Sequence, residues 1–169
     1  MKKIIYNNDN ISLNEVNNLV KRAKIIFINS NSEILLVHSN NNYFLPGGHV
    51  EGDESDIECL KREIKEEIGV DLDLPFLEPF LTIEYFNKDY PSDKVNTLSL
   101  INYYYLKKDI LPNLDNISLT NEEKEGNFKL EFININDVLD FLTNSLDIAT
   151  RKGVVLDTME AIKEFKNII

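Results

Sequence analysis

The stretch GHVEGDESDIECLKREIKEEIGV, residues 48–70, decides how this chain is read. Ser55-Asp56-Ile57-Glu58 has the form of a capping box. The serine hydroxyl can accept from the Glu58 backbone N–H while the Glu58 side chain reaches back to the Ser55 backbone. Gly69 stands where a left-handed residue ends a helix. A helix from about Asp56 to Ile68 is therefore predicted, with signals at both ends. At about 100° per residue, Ile57, Leu60, Ile64 and Ile68 share one stripe, which is the face to bury. Glu63, Glu66 and Glu67, spaced i, i+3, i+4, gather three carboxylates on a neighbouring face. Like charges at that spacing destabilise a helix unless something positive sits among them. Hard oxygen donors suit Mg²⁺, Mn²⁺ or Ca²⁺. Taken alone, three glutamates read as a solvated acidic face.

Outward from the helix, two kinds of periodicity alternate. Residues 40–54, around Leu45-Pro46-Gly47-Gly48, read as a loop. Upstream, residues 23–29 and 33–39 are two strands rich in Ile, Val and Leu, joined by the turn Asn29-Ser30-Asn31-Ser32. The spacing of Ile11, Leu13, Val16, Leu19 and Val20 predicts a short helix over 11–22, within an N-terminal extension of residues 1–22. Downstream, Val70-Asp71-Leu72 and the run Pro79 to Tyr85 predict strand segments, Thr97 to Leu106 a long strand and Phe128 to Ile133 another. Asn136 to Asn144 and Gly153 to Ile168 predict closing helices. Strands and helices mix without regular βαβ alternation, so an α/β fold with a mixed sheet and helices on its faces is expected.

A chain of 169 residues with 43% apolar content can bury a sizeable core as one domain, residues 1–169. The lone cysteine, Cys59, precludes an internal disulfide and fits a reducing, cytoplasmic setting. It lies among acidic neighbours that disfavour a thiolate, so a structural role is expected. No apolar run approaches the roughly 20 residues a membrane span needs, and the N-terminus lacks a signal-peptide core. A net charge of −11 argues against long nucleic acid as a partner, since phosphates call for basic patches. The same excess is awkward for a phosphate-bearing substrate unless divalent metal screens it.

Gly48, five residues, Glu54, seven residues, then Arg62-Glu63-Ile64-Lys65-Glu66-Glu67-Ile68-Gly69-Val70 resembles the Nudix box at every defining position, over 23 residues. The approach Leu45-Pro46-Gly47-Gly48-His49-Val50-Glu51-Gly52 is similar to the family's as well. The resemblance implies an α/β/α sandwich with a mixed β-sheet. It also implies hydrolysis of a diphosphate linkage in a nucleoside diphosphate derivative or a nucleoside triphosphate, with Mg²⁺ (Mn²⁺ may substitute). Carried over, Glu63, Glu66 and Glu67 are metal ligands together with the Gly48 carbonyl, and Arg62 orients Glu54 or Glu63. The general base is Glu63 or Glu67, or a residue outside the box. A further acidic ligand from a later loop is expected among Glu122, Glu123 and Glu125, with Glu123 and Glu125 the candidates favoured.

The box does not fix the substrate. Tyr85 lies 15 residues after Val70, near an offset used by dinucleoside polyphosphate hydrolases of the family. Tyr85 is a substrate-binding candidate on that offset, and His49, inside the box loop, is a candidate phosphate contact. Phe80, Phe86, Tyr90 and Tyr103 to Tyr105 could stack on a base, though aromatics at strand spacing usually pack in a core. His38 reads as structural. The partner implied is a small-molecule nucleotide, without a membrane; many relatives are homodimers, but no self-complementary patch stands out. Two other classes share this fold. A prenyl diphosphate isomerase needs a reactive cysteine and further ligands that are not seen. A non-catalytic nucleotide-binding sensor is the alternative, and such domains often lose box glutamates that are all present here.

Overall fold

The computed structural model describes all 169 residues, the Glu122 side chain lying outside the described part. Eight strands form one mixed sheet: β1 Lys2–Tyr6, β2 Asn18–Ile28, β3 Glu33–Ser39, β4 Asn42–Phe44, β5 Gly47–His49, β6 Leu81–Asn87, β7 Thr97–Lys107 and β8 Lys129–Asn134. The helices are α1 Asp56–Ile68, α2 Asn121–Glu125, α3 Val138–Ser145 and α4 Lys152–Ile168. The main path runs β1-β6-β7-β2-β3-β4, with β5 on β2 and β8 on β3. β2 and β7 pair in parallel along their whole length, from Asn18↔Thr97 to Ile28↔Lys107. β2 meets β3 only at Ile28↔Ile34, so the two diverge beyond that point. Short β5 fills part of the gap, pairing Arg22, Ala23 and Lys24 with His49, Gly48 and Gly47.

Alternation along the strands divides the core into two layers. Ala23, Ile25 and Phe27 of β2 pack with Cys59, Leu60, Ile64 and Ile68 of α1. Ile26 and Ile28, on the opposite face, pack with Val138 and Leu142 of α3 and with Val155, Ile162 and Phe165 of α4. Helices thus cover both faces of a mixed sheet, the expected α/β/α arrangement. No described helix is long and apolar enough to cross a membrane.

Helix α1 follows its sequence signals closely. The Ser55 hydroxyl accepts from the Glu58 N–H at 3.3 Å, and Glu58 Oε2 accepts from the Ser55 N–H at 2.7 Å. Gly69 ends the helix with φ of 74°, its N–H bonded to the Lys65 carbonyl. A Cβ there would stand 1.9 Å from the Asn113 carbonyl oxygen, so packing as well as backbone conformation demands glycine.

Several expected elements differ. The helix over 11–22 is only a 3₁₀ turn, Leu13–Glu15, capped by the Ser12–Glu15 box, and residues 18–22 are already strand. The apolar residues that suggested helical spacing include Leu13 and Leu19, which are exposed, and the ladder with β7 dictates the conformation instead. Residues 1–22 are no simple extension, because β1 pairs in parallel with β6 and β2 is central. The loop over 40–54 contains β4 and β5, strands of three residues that Asn and Gly disguise. Val70-Asp71-Leu72 is not a strand, and the strand foreseen from Pro79 begins at Leu81. The acidic segment before β8 carries the short helix α2.

Candidate active site

The divergence of β2 and β3 leaves a cleft of about 670 Å³, within the range of small-ligand sites. One end is acidic. Helix α1 brings Glu63, Glu66 and Glu67 to it, and α2 adds Glu123. Glu67 is buried, and its Oε2 accepts the Gly47 N–H at 2.9 Å. Gly47 has φ of 117°, and a Cβ would lie 2.2 Å from the Ala23 carbonyl oxygen, so this strand crossing tolerates only glycine. A Cβ on Gly48 would lie 2.0 Å from Glu63 Oε1: backbone and carboxylate share that spot. Arg62 ties the group together. It donates to Glu54 at 2.7 Å, to Glu63 at 2.8 Å, to Glu66 at 3.3 Å and to the His49 carbonyl at 2.8 Å.

The middle of the cleft is basic. Arg22 and Lys24, two apart on β2, point to the same face. The Lys24 ammonium donates to the Gly47 carbonyl and lies 5.0 Å from the centre of the Phe44 ring. Thus Gly47 carries Glu67 on its N–H and Lys24 on its carbonyl. The far end is aromatic and polar. Tyr85, Tyr103, Ser99 and Asp157 of α4 line it, with the Tyr85 hydroxyl donating to Asp157 Oδ1. The Tyr85 ring is stacked on Tyr6 with centroids 4.8 Å apart.

Comparison with known proteins decides the family. A NUDIX domain model matches residues 19–152. The chain belongs to the Nudix hydrolase family. It is 45% identical over 53 residues to the m7GpppN-mRNA hydrolase of Saccharomyces cerevisiae, covering 30% of this chain and 6% of that protein. It is 30% identical over 102 residues to a putative hydrolase, 111R, of Invertebrate iridescent virus 3, covering 59% of this chain and 50% of the viral one. The matches thus span at most about half the length of these relatives. The fold resembles that of the NUDIX domain of Shewanella oneidensis NrtR, solved with ADP ribose. The TM-score is 0.55 at 14% identity, over 94% of each chain.

Within this Nudix domain, the electrostatics follow from burial. Burial pushes the Glu67 carboxyl up to about 8, against the pull of Lys24 and the Gly47 N–H. Burial also raises Glu63, which Arg62 opposes. Glu54 is held below the usual carboxylate range by its hydrogen bond from Arg62. Lys24 is pushed down by burial, while Glu67 and Glu63 favour its charged form. His49, at the cleft rim, is lowered by burial and by Arg22 and Lys24. Cys59 is buried against the Gly48 and His49 carbonyls and its thiol is pushed up to about 12, so it is no nucleophile.

Most of the site residues expected from the sequence line one cleft: Gly48, His49, Arg62, Glu63, Glu66 and Glu67 of the box, with Tyr85 and Glu123 from outside it. Arg62 engages both Glu54 and Glu63, where sequence left the choice open. Glu123 lines the cleft while capping α2 through Thr120; Glu125 is exposed and does not line it, because it falls on the outer side of that short helix. The expectation for Glu122 lies outside the described residues. His38 is buried, with Nδ1 at 3.0 Å from the Asn127 carbonyl, as a structural residue would be. Of the aromatics, Phe80 and Tyr105 pack against Phe165 in the core, whereas Tyr85, Tyr90 and Tyr103 line the cleft. Sequence reasoning missed Arg22, Lys24 and Asp157. An alternating Arg-x-Lys pair would have signalled the first two, had residues 18–22 been read as strand.

The acidic end fits a hard divalent cation by donor chemistry: the carboxylate residues Glu63, Glu66, Glu67 and Glu123 line it together with Gly48. Among the described residues no three acidic, histidine or cysteine side chains form a ready cage. Glu63 and Glu66 are turned onto Arg62, and Glu67 onto Gly47.

Proposed function

We propose that this chain hydrolyses a phosphoanhydride bond in a small nucleotide, a nucleoside diphosphate derivative or a nucleoside triphosphate, with Mg²⁺ as cofactor and Mn²⁺ as a substitute. Residues 1–169 act as one catalytic domain in the cytoplasm. The observation that carries the reading is Glu67: a buried carboxylate, fixed on the Gly47 N–H, beside Glu63 and Glu66 in a cleft of nucleotide size. Glu63, Glu66, Glu67 and the Gly48 carbonyl would hold the ion, with Glu123 close by. When bound, it neutralises phosphate oxygens and makes water easier to deprotonate.

The chain's own residues supply the rest. Arg62, pinned by Glu54, holds Glu63 at the cleft wall and neutralises part of the acidic group. On this reading the proton of the attacking water goes to whichever of Glu63 and Glu67 the ion leaves free, burial favouring the protonated form of both carboxyls. The aromatic end, with Tyr85, Tyr103 and Asp157, receives the part of the substrate beyond the phosphates.

The test is product release over a panel of nucleoside triphosphates, ADP-ribose, dinucleoside polyphosphates and an m7GpppN cap, with Mg²⁺ or Mn²⁺. One class should be turned over, and a chelator should stop it. No product from any compound, alongside tight nucleotide binding by calorimetry, would overturn hydrolysis in favour of a nucleotide sensor.

A further inference from the structure

We infer that Arg22 is the phosphate clamp of this cleft, gripping the diphosphate bridge of the substrate at the point where the acidic end gives way to the aromatic end. The inference rests on the hydrolase reading above and names the residue that holds the anion. The chain carries 29 acidic residues against 18 lysines and arginines, so a cation without a carboxylate partner is easily avoided. Arg62, on the rim of the same cleft, contacts three of them. Arg22 is partly buried in the cleft, yet among the described residues its guanidinium has neither an ion pair nor a hydrogen bond.

A guanidinium has five N–H donors in a fixed fork, and withdrawing it from water without partners costs free energy. Such a group persists where an anion completes it, and a planar fork matches two phosphate oxygens. The surroundings suit that anion. Lys24 stands two residues along on the same face of β2, and His49 is the strand partner of Arg22 on β5. Asp157 across the cleft attracts Arg22 without a hydrogen bond to it, its Oδ1 taking the Tyr85 hydroxyl, so the donors of the fork stay open. The negative wall begins at Glu67, beyond Lys24. A diphosphate laid along the cleft therefore places one phosphate at the carboxylates and the other on Arg22. The register of β2 is fixed by eleven paired residues of β7, so the fork is held by the sheet and not by a loop.

The experiment measures binding of methylenediphosphonate, a diphosphate isostere that water does not cleave, by calorimetry with Mg²⁺ present. Inorganic phosphate serves as the single-phosphate control. Arg22→Gln should weaken the isostere by about 10- to 100-fold, the range for a lost charged hydrogen-bond pair. Arg22→Lys should recover part of the loss, because it keeps charge without the fork. Phosphate, held at the carboxylate end, should change by less than about threefold, well under the loss of one charged hydrogen bond. The free variant should unfold at the same or a higher urea concentration than wild type, whereas a structural arginine would cost stability. Equal affinity of wild type and Arg22→Gln for the isostere overturns the clamp, as does an equal loss for phosphate. Failure of the wild type to bind the isostere also overturns it, and the nucleotide panel then shows independently whether hydrolysis stands.

Discussion

Replacing Gly48 by alanine tests whether the glycine loop serves the acidic end or merely the fold. The added Cβ would lie 2.0 Å from Glu63 Oε1, 2.4 Å from Cδ and 2.8 Å from Oε2. Ordinary contact begins near 3.4 Å, so the carboxylate must retreat by about 1.4 Å. A side-chain terminus can do this, at the cost of its 2.8 Å bond from Arg62, which keeps its grip on Glu54. Losing that partly exposed pair costs about 1 kcal/mol or less. Alanine at a compatible φ returns about 0.4–1 kcal/mol by restricting the unfolded chain. Stability should thus change little. Activity should not survive as well, because a displacement of about 1 Å at a reacting site can cost about 10²-fold. Gly47→Ala is the contrast. Its Cβ would meet the Ala23 carbonyl at 2.2 Å and the Lys24 Cα at 3.1 Å, and its φ of 117° is hostile to a side chain. Backbone cannot step aside without opening the β2–β5 ladder, so about 3–5 kcal/mol should be lost. Urea unfolding followed by circular dichroism, with the slope m checked for constancy, reads stability. Initial rates on the best panel substrate read activity. Wild-type kcat/KM in Gly48→Ala, or equal destabilisation by the two variants, refutes the reasoning.

Glu67→Gln keeps an acceptor for the Gly47 N–H and removes a carboxyl that burial disfavours, so the fold should hold while turnover drops by about 10³-fold; near-wild-type hydrolysis across the panel would count against the site. Ser55→Ala deletes the N-cap acceptor of α1 and should lower unfolding free energy by about 1 kcal/mol, measured by the same urea titration. Burial raises the Asp157 carboxyl above its unfolded value, against the Tyr85 hydrogen bond and Arg22. The native state therefore binds that proton more tightly, and stability declines as pH rises from about 3.9 through the folded value. Asp157→Asn should remove that decline, and urea midpoints of the two proteins that run parallel across this window would contradict it.

The sheet's interior was readable because its residues alternate strongly. Thr97 to Leu106 and residues 23–29 and 33–39 carry β-branched and aromatic side chains, and they form β7, β2 and β3. β4 and β5 escaped because three residues rich in Asn and Gly have no periodicity to detect, and their pairing comes entirely from β3 and β2. Residues 18–22 misled for the opposite reason. Val20 and Leu19 fit a helical spacing as well as an alternation, and only the distant partner β7 selects the strand.

The carboxylate group of α1 is a local fact. Caps, stripe and glutamate spacing all lie within sixteen residues, Ser55 to Val70, where hydrogen bonds between near neighbours define the helix and the face that carries the glutamates. What those carboxylates face is not local. Arg22, Lys24, Tyr85 and Asp157 come from two strands and a C-terminal helix, and no spacing along the sequence relates them. They converge because β2 lies beside β7, β7 beside β6, and α4 packs across that face to bury Val155, Ile162 and Phe165. Three of the four carboxylates of the acidic half were thus written in one helix, whereas Glu123 and the basic and aromatic half were brought in by burial of apolar surface between segments far apart in the chain.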